Sequence, residues 1–133
     1  MSQHLNTIMN VNQKGVKGLI KVIDNLQESG YYTFPAFDDH SPIDLIAVDQ
    51  NGKSYRLQVK YRESDKHKKS ERYSFPASSV VNGKRVPIDK SMIDGWAVYL
   101  AEANKVVYIK KSMVSSTLTI DPSKDYGRLS EFG

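Results

Sequence analysis

The dipeptide Asn51-Gly52 lies between two strand-like segments, and this arrangement restricts the fold more than any other feature of the chain. Asn-Gly is a strong hairpin signal, because both residues tolerate the left-handed backbone of a tight turn. Before it, Ile43–Val48 is apolar except for Asp44 and has the length of a buried strand. After it, Ser54–Tyr61 alternates: Tyr55, Leu57, Val59 and Tyr61 take one face, while Arg56, Gln58, Lys60 and Arg62 take the other. The apolar face of such a hairpin needs a cover. Upstream, Val16, Leu19, Ile20, Ile23 and Leu26 recur at helical spacing between Gln13 and Ser29, with Lys14, Lys17, Lys21, Asp24 and Glu28 on the other face. Gly30 is a natural C-terminal stop.

Further elements follow the same logic. Tyr31–Phe34 is β-prone and ends at Pro35. Residues 62–72 contain no apolar side chain and predict a solvated loop. Tyr73–Phe75 reads as a short strand, and Asn82-Gly83 as a second turn. Trp96–Leu100 and Val106–Ile109 form a strand pair across Ala101–Lys105, with Trp96 in the core. A short helix is expected around Lys111–Ser116, a flexible arm at residues 1–12 and a loose tail at residues 117–133. The order predicts one α/β domain over residues 1–133, with a mixed central sheet flanked by helices.

Composition excludes several function classes. No apolar run approaches the roughly 20 residues that span a bilayer, so no membrane association is expected. No basic-then-apolar N-terminal segment marks secretion, and a cytoplasmic location is expected. The absence of cysteine removes disulfides, thiolate metal sites and a cysteine nucleophile. His4, His40 and His67 are too scattered for a zinc site. The net charge is +4, but residues 52–85 alone hold ten Lys/Arg against three acids. Residues 1–51 are net acidic, and residues 86–133 are balanced. A basic block of this kind is either a solvated loop or a polyanion contact. The block leaves the strand that carries Lys60, so DNA contact is expected from Arg56, Arg62, Lys66, Lys68, Lys69, Arg72, Lys84 and Arg85. Lys17 and Lys21, on the helix, are expected beside the site.

Chemistry concentrates at Pro42-Ile43-Asp44 and Gln58-Val59-Lys60. A carboxylate on an apolar strand is costly unless it has a partner or a cation. If the turn closes an antiparallel hairpin, Asp44 reaches the level of Gln58 and Lys60. Oxygen ligands with open water positions suit Mg²⁺. A lysine beside them can orient a water and offset charge on a phosphate. Alternatively, the Arg-x-Gln-x-Lys face is simply solvated and Asp44 caps a turn.

These residues, in the order helix, strand, hairpin, resemble the PD-(D/E)XK nucleases over about residues 13–62, and more loosely over 73–109. The signature is Asp on one core strand and acid-x-Lys on the next. Gln58 in the acid's place is similar to a Gln-x-Lys subgroup that includes a cyanobacterial group I intron homing endonuclease. The resemblance implies a Mg²⁺-dependent DNA endonuclease of homing or mobile-element type, acting on double-stranded DNA. It implies Asp44, Gln58 and Lys60 as the catalytic set, and Asp44, Gln58 and the Val59 carbonyl as metal ligands. Many relatives add a Glu from the first helix. Here the position facing Asp44 is expected at Leu19, and the helix offers only Asp24 and Glu28. One site per protomer implies a homodimer or homotetramer if both strands are cut. Two other readings remain open: a catalytically inactive nucleic-acid-binding module of the same fold, and a Holliday-junction resolvase.

Overall fold

A computed structural model of the protein describes residues 9–38, 40–64 and 72–132. Helix α1 covers Val11–Glu28. It starts earlier than the periodicity suggests, because Asn10 and Gln13 form a reciprocal capping box. The Asn10 side chain accepts the Gln13 N–H at 2.9 Å, and the Gln13 side chain accepts the Asn10 N–H at 2.9 Å. Residues 11 and 12, expected in the arm, therefore belong to α1, and residues 1–8 lie outside the described residues.

Strands β1 (Tyr32–Pro35), β2 (Leu45–Val48) and β3 (Ser54–Arg62) form an antiparallel meander. Three short strands follow: β4 (Tyr73–Pro76), β5 (Ser78–Val81) and β6 (Lys84–Pro87). The chain then returns as β7 (Gly95–Leu100), which pairs parallel to β3, and β8 (Lys105–Lys110) pairs antiparallel to β7. The central sheet is mixed, in the order β1-β2-β3-β7-β8. The expected α/β architecture is present, with α1 on one face.

Each face carries its own core. Against α1 lie Leu45, Ala47, Tyr55, Leu57 and Ala97, packed with Val22 and Leu26. On the opposite face Trp96, Val98, Leu100 and Ile109 pack on Tyr73, Phe75, Ile93 and Ile120. That second core corrects the reading of the tail. Residues 117–120 form β9 (Thr117–Ile120), which pairs antiparallel with β4 and buries Ile120. Further on, Leu129 is buried and the Phe132 ring meets Tyr55 edge-on at 6.3 Å. The expected helix around Lys111–Ser116 is only a 3₁₀ turn over Lys111–Met113.

The helix face also differs from the simplest apolar pattern. Gly18, Val22 and Leu26 form its buried line, while Val16 and Ile20 are each 58 % exposed. The reason is close approach: a Cβ on Gly18 would lie 3.2 Å from the Tyr61 Cβ. The smallest residue therefore faces the sheet, and the helix turns its two branched side chains outward.

Gly95 opens β7 under tighter constraint. A Cβ there would lie 2.3 Å from the Ile109 carbonyl oxygen and 2.5 Å from the Phe132 ring. Backbone cannot yield as a flexible side chain can. Gly95→Ala is expected to destabilise by about 2–3 kcal/mol, lowering Tm by about 10 °C. Thermal unfolding followed by circular dichroism checks this, and an unchanged Tm would show that the Phe132 segment does not pack as described.

Candidate active site

The hairpin that positions Asp44 is closed by residues 49–53. The Asp49 carboxylate accepts the N–H groups of Asn51 and Lys53, each at 2.9 Å, and Gly52 adopts φ +87°. Leu45 then pairs with Leu57, which sets Asp44 opposite Gln58, and the Asp44 N–H donates to the Leu57 carbonyl at 2.9 Å. Here β2 begins, while β3 runs on unpaired along that edge. The Asp44 carboxylate occupies the gap: its Oδ2 accepts the Val59 N–H at 2.8 Å. Burial pushes the Asp44 carboxyl above its ordinary range, opposed by the Val59 hydrogen bond and the nearby Lys60 ammonium. A cleft of about 400 Å³ opens beside it, lined by Gly15, Val16, Leu19, Ala36 and Val59. Leu19 thus stands where the helix faces Asp44, as the sequence implies.

Lys60 projects from β3 into a half-buried setting, where Nζ donates to the Ser78 carbonyl at 3.1 Å. Burial lowers its pKa. Arg62 and Arg85 lower it further, against a raising effect of Asp44. Arg62 Nε donates to the Ser74 carbonyl at 2.7 Å, and Arg85 Nη1 donates to Ser78 Oγ at 3.0 Å. Three cations thus converge, and one of them, Lys60, lies within the field of Asp44. Ser78, 8 % exposed, anchors two of them, one through its carbonyl and one through its hydroxyl. Only knowledge of where β5 lies beside β3 could have singled it out.

Gln58 is buried, and its Oε1 accepts the Trp96 indole N–H at 3.0 Å. The parallel register places the two residues side by side. Trp96 is a core residue, as expected, but it also fixes the Gln58 amide, since the indole can only donate. A second lone pair of Oε1 remains for another partner.

The other candidate DNA contacts divide. Arg72 pairs with Asp121 at 3.6 Å. Lys84 is exposed on β6, and Lys17 is exposed on α1. Lys21 lies 5.8 Å over the Tyr99 ring, outside the Asp44 cleft. Lys66, Lys68 and Lys69 lie outside the described residues. Arg56 is held by Asp94, whose carboxylate accepts the Arg56 backbone N–H at 2.7 Å and its guanidinium at 3.2 and 3.4 Å. Asp94 thereby fixes the entry of β7 against β3.

Although burial opposes the Asp94 charge, the Arg56 hydrogen bonds hold its carboxyl below the ordinary aspartate range. A lowered carboxyl stabilises the fold above its unfolded pKa, and that stabilisation is lost as pH falls through the folded value. Asp94→Asn is expected to lower Tm at neutral pH by about 4 °C, on roughly 1 kcal/mol for the weakened hydrogen bonds. The gap from wild type should shrink in acid. An equal gap at neutral and acid pH would show that the Asp94 charge contributes nothing.

A family model of the PD-(D/E)XK endonucleases matches residues 9–125. The chain belongs to that family. Among solved structures, the bacterial homing endonuclease I-Ssp6803I superposes with a TM-score of 0.70 at 16 % identity. The match covers 93 % of this chain and 86 % of that one. No curated protein matches the sequence significantly. No helix among the described residues is long and apolar enough to cross a membrane.

PD-(D/E)XK nucleases use divalent metal ions, and the oxygen donors here fit one. Asp44 Oδ1 has no hydrogen-bond partner among the described residues. The Val59 carbonyl leaves β3 on the same edge as its N–H, beyond the end of β2. No three His, Cys, Asp or Glu side chains converge among the described residues. A single carboxylate with neutral oxygens suits a small hard cation that keeps several waters.

Proposed function

We propose that the protein is a Mg²⁺-dependent endonuclease that hydrolyses phosphodiester bonds in double-stranded DNA, of the homing or mobile-element kind. The observation that carries this reading is the Asp44 carboxylate seated on the Val59 amide, with Lys60 within its field. The Gln-x-Lys pair and the likeness in fold to a homing endonuclease support the finer class. Asp44, Gln58 Oε1 and the Val59 carbonyl would hold the cation. When bound, the cation supplies Lewis acidity, favouring hydroxide over water and drawing charge from the phosphate. Lys60 orients the attacking water and, with Arg62 and Arg85, offsets charge that develops on the phosphate oxygens. Leu19 keeps the helix side of the cleft apolar and adds no second carboxylate. A protomer has one such site, so cutting both strands calls for two copies, as a homodimer or homotetramer.

The direct test incubates the purified chain with supercoiled and linear duplex, with Mg²⁺ or with EDTA. Mg²⁺-dependent cleavage within circular DNA is expected. Binding without cleavage across divalent ions would support the second reading, an inactive DNA-binding module. Two observations favour that alternative: Leu19 in the cleft, and Gln58 Oε1 engaged by Trp96. Preferential cleavage of four-way junctions would instead identify a resolvase.

A further inference from the structure

Strands β5 and β6 form a two-stranded ribbon separate from the central sheet. Ser78 pairs with Pro87 at its base and Val81 with Lys84 at its tip, where Asn82 and Gly83 adopt φ +50° and +75°. All four residues of β6 are exposed, including Val86 at 42 %. An isolated two-stranded ribbon is marginal in water. Its base is fastened by three hydrogen bonds among the described residues. Ile88 N–H donates to the Ala77 carbonyl at 3.1 Å, Ala77 N–H donates to the Ser116 carbonyl at 2.7 Å, and Lys60 holds Ser78.

Its charge is one-sided. Ser78–Pro87 contains Lys84 and Arg85 and no acid. Arg85 reaches back to Ser78, where it and Arg62 repel one another across the ribbon base. Neither has an acidic partner within ion-pair distance among the described residues. Side chains held in place yet mutually repelling are set to receive an anion. The dimensions agree. Four residues of strand extend about 13 Å, and two strands lie about 4.8 Å apart. The major groove of B-DNA is about 12 Å wide and 8.5 Å deep and admits a two-stranded ribbon.

We infer that the β5–β6 ribbon enters the major groove of duplex DNA, while Arg85 and Arg62 at its base grip a backbone phosphate at the groove's rim. This rests on the endonuclease reading and deepens it. Because Ser78 carries both Arg85 and Lys60, the ribbon delivers the strand it holds to the Asp44 cleft.

The test measures binding rather than cleavage. With EDTA present, anisotropy of a fluorescein-labelled mixed-sequence duplex gives affinity against salt. Lys84→Ala with Arg85→Ala is expected to weaken binding about tenfold and to reduce the log–log salt slope by about 1, at ~0.9 for the phosphate contact that Arg85 makes. The chain has no cysteine, so Lys84→Cys carries a single thiol for tethered iron–EDTA. Strand cuts offset to the 5′ side, the pattern of a major-groove source, would support the inference. Cuts offset to the 3′ side, no cuts on bound duplex, or an unchanged slope would overturn it. A wild-type chain that binds no duplex would overturn the endonuclease reading itself, which separates the two failures.

Discussion

Asp44→Asn is expected to cut the rate of duplex cleavage at saturating Mg²⁺ by about 10³-fold or more, with the fold intact. The magnitude follows from losing the only carboxylate that lines the cleft among the described residues, a loss of several kcal/mol in transition-state stabilisation. The amide keeps an oxygen where Asp44 Oδ2 accepts the Val59 N–H, so the β3 edge stays satisfied. Asp44→Ala removes that acceptor as well and leaves the amide without its partner, at about 1–3 kcal/mol in addition. Comparing the two separates charge from scaffold.

The sign with pH is also set. Burial raises the Asp44 pKa, although Val59 and Lys60 resist. A raised carboxyl favours the fold while protonated, and that contribution is lost as pH rises through the folded value. In EDTA at neutral pH, the Asn variant should therefore be at least as stable as wild type. Added Mg²⁺ should raise the Tm of wild type alone, since only it gains a bound ligand. Wild-type-like cleavage by folded Asp44→Asn would end the assignment.

The hairpin was legible because its information is local. Asn51-Gly52 stops two strands of opposite direction, and the alternation after it leaves a single register that buries Leu57 against Leu45. That register alone brings Asp44 level with Gln58. The helix was legible in position but not in rotation. Counting apolar residues favours Val16 and Ile20, whereas packing favours Gly18, whose value lies in having no side chain. The tail was misread because β9 pairs with β4, some forty residues earlier, and four-residue strands with distant partners carry little local signal.

The site was half legible for the same reason. Asp44, Gln58 and Lys60 follow from one hairpin. The partners that hold them come from distant segments: Trp96 through the parallel β3–β7 pairing, and Ser78 through an excursion whose course the sequence does not reveal. The basic block read as one surface. In the structure its described members separate into ion-paired residues, Arg56 and Arg72, the cations around Lys60, and two that belong to neither group, Lys53 over the Tyr55 ring and Lys84 exposed on β6.

Lys60→Met is the sharpest discriminator between enzyme and binding module. Methionine keeps the length and the apolar stem but cannot donate to the Ser78 carbonyl. Burial, Arg62 and Arg85 all work against the Lys60 ammonium, and Asp44 is the charge that favours it. Its removal should therefore leave Tm near wild type, since the lost hydrogen bond is offset by relief of that repulsion. Duplex affinity in EDTA should also stay within about threefold, because Arg62 and Arg85 still face the phosphate. Cleavage, in contrast, should fall by roughly 10²-fold or more, the range for losing one electrostatic or proton-handling group. Lys60→Arg separates those two roles. A guanidinium keeps the charge but stays protonated throughout the accessible range. If Lys60 acts only as a cation, Arg restores much of the rate. If the ammonium must exchange a proton with the attacking water, Arg does not, and the wild-type rate should bend at a pH below the ordinary lysine range. A Met variant that still cleaves within about threefold of wild type would remove Lys60 from the chemistry and favour the binding module.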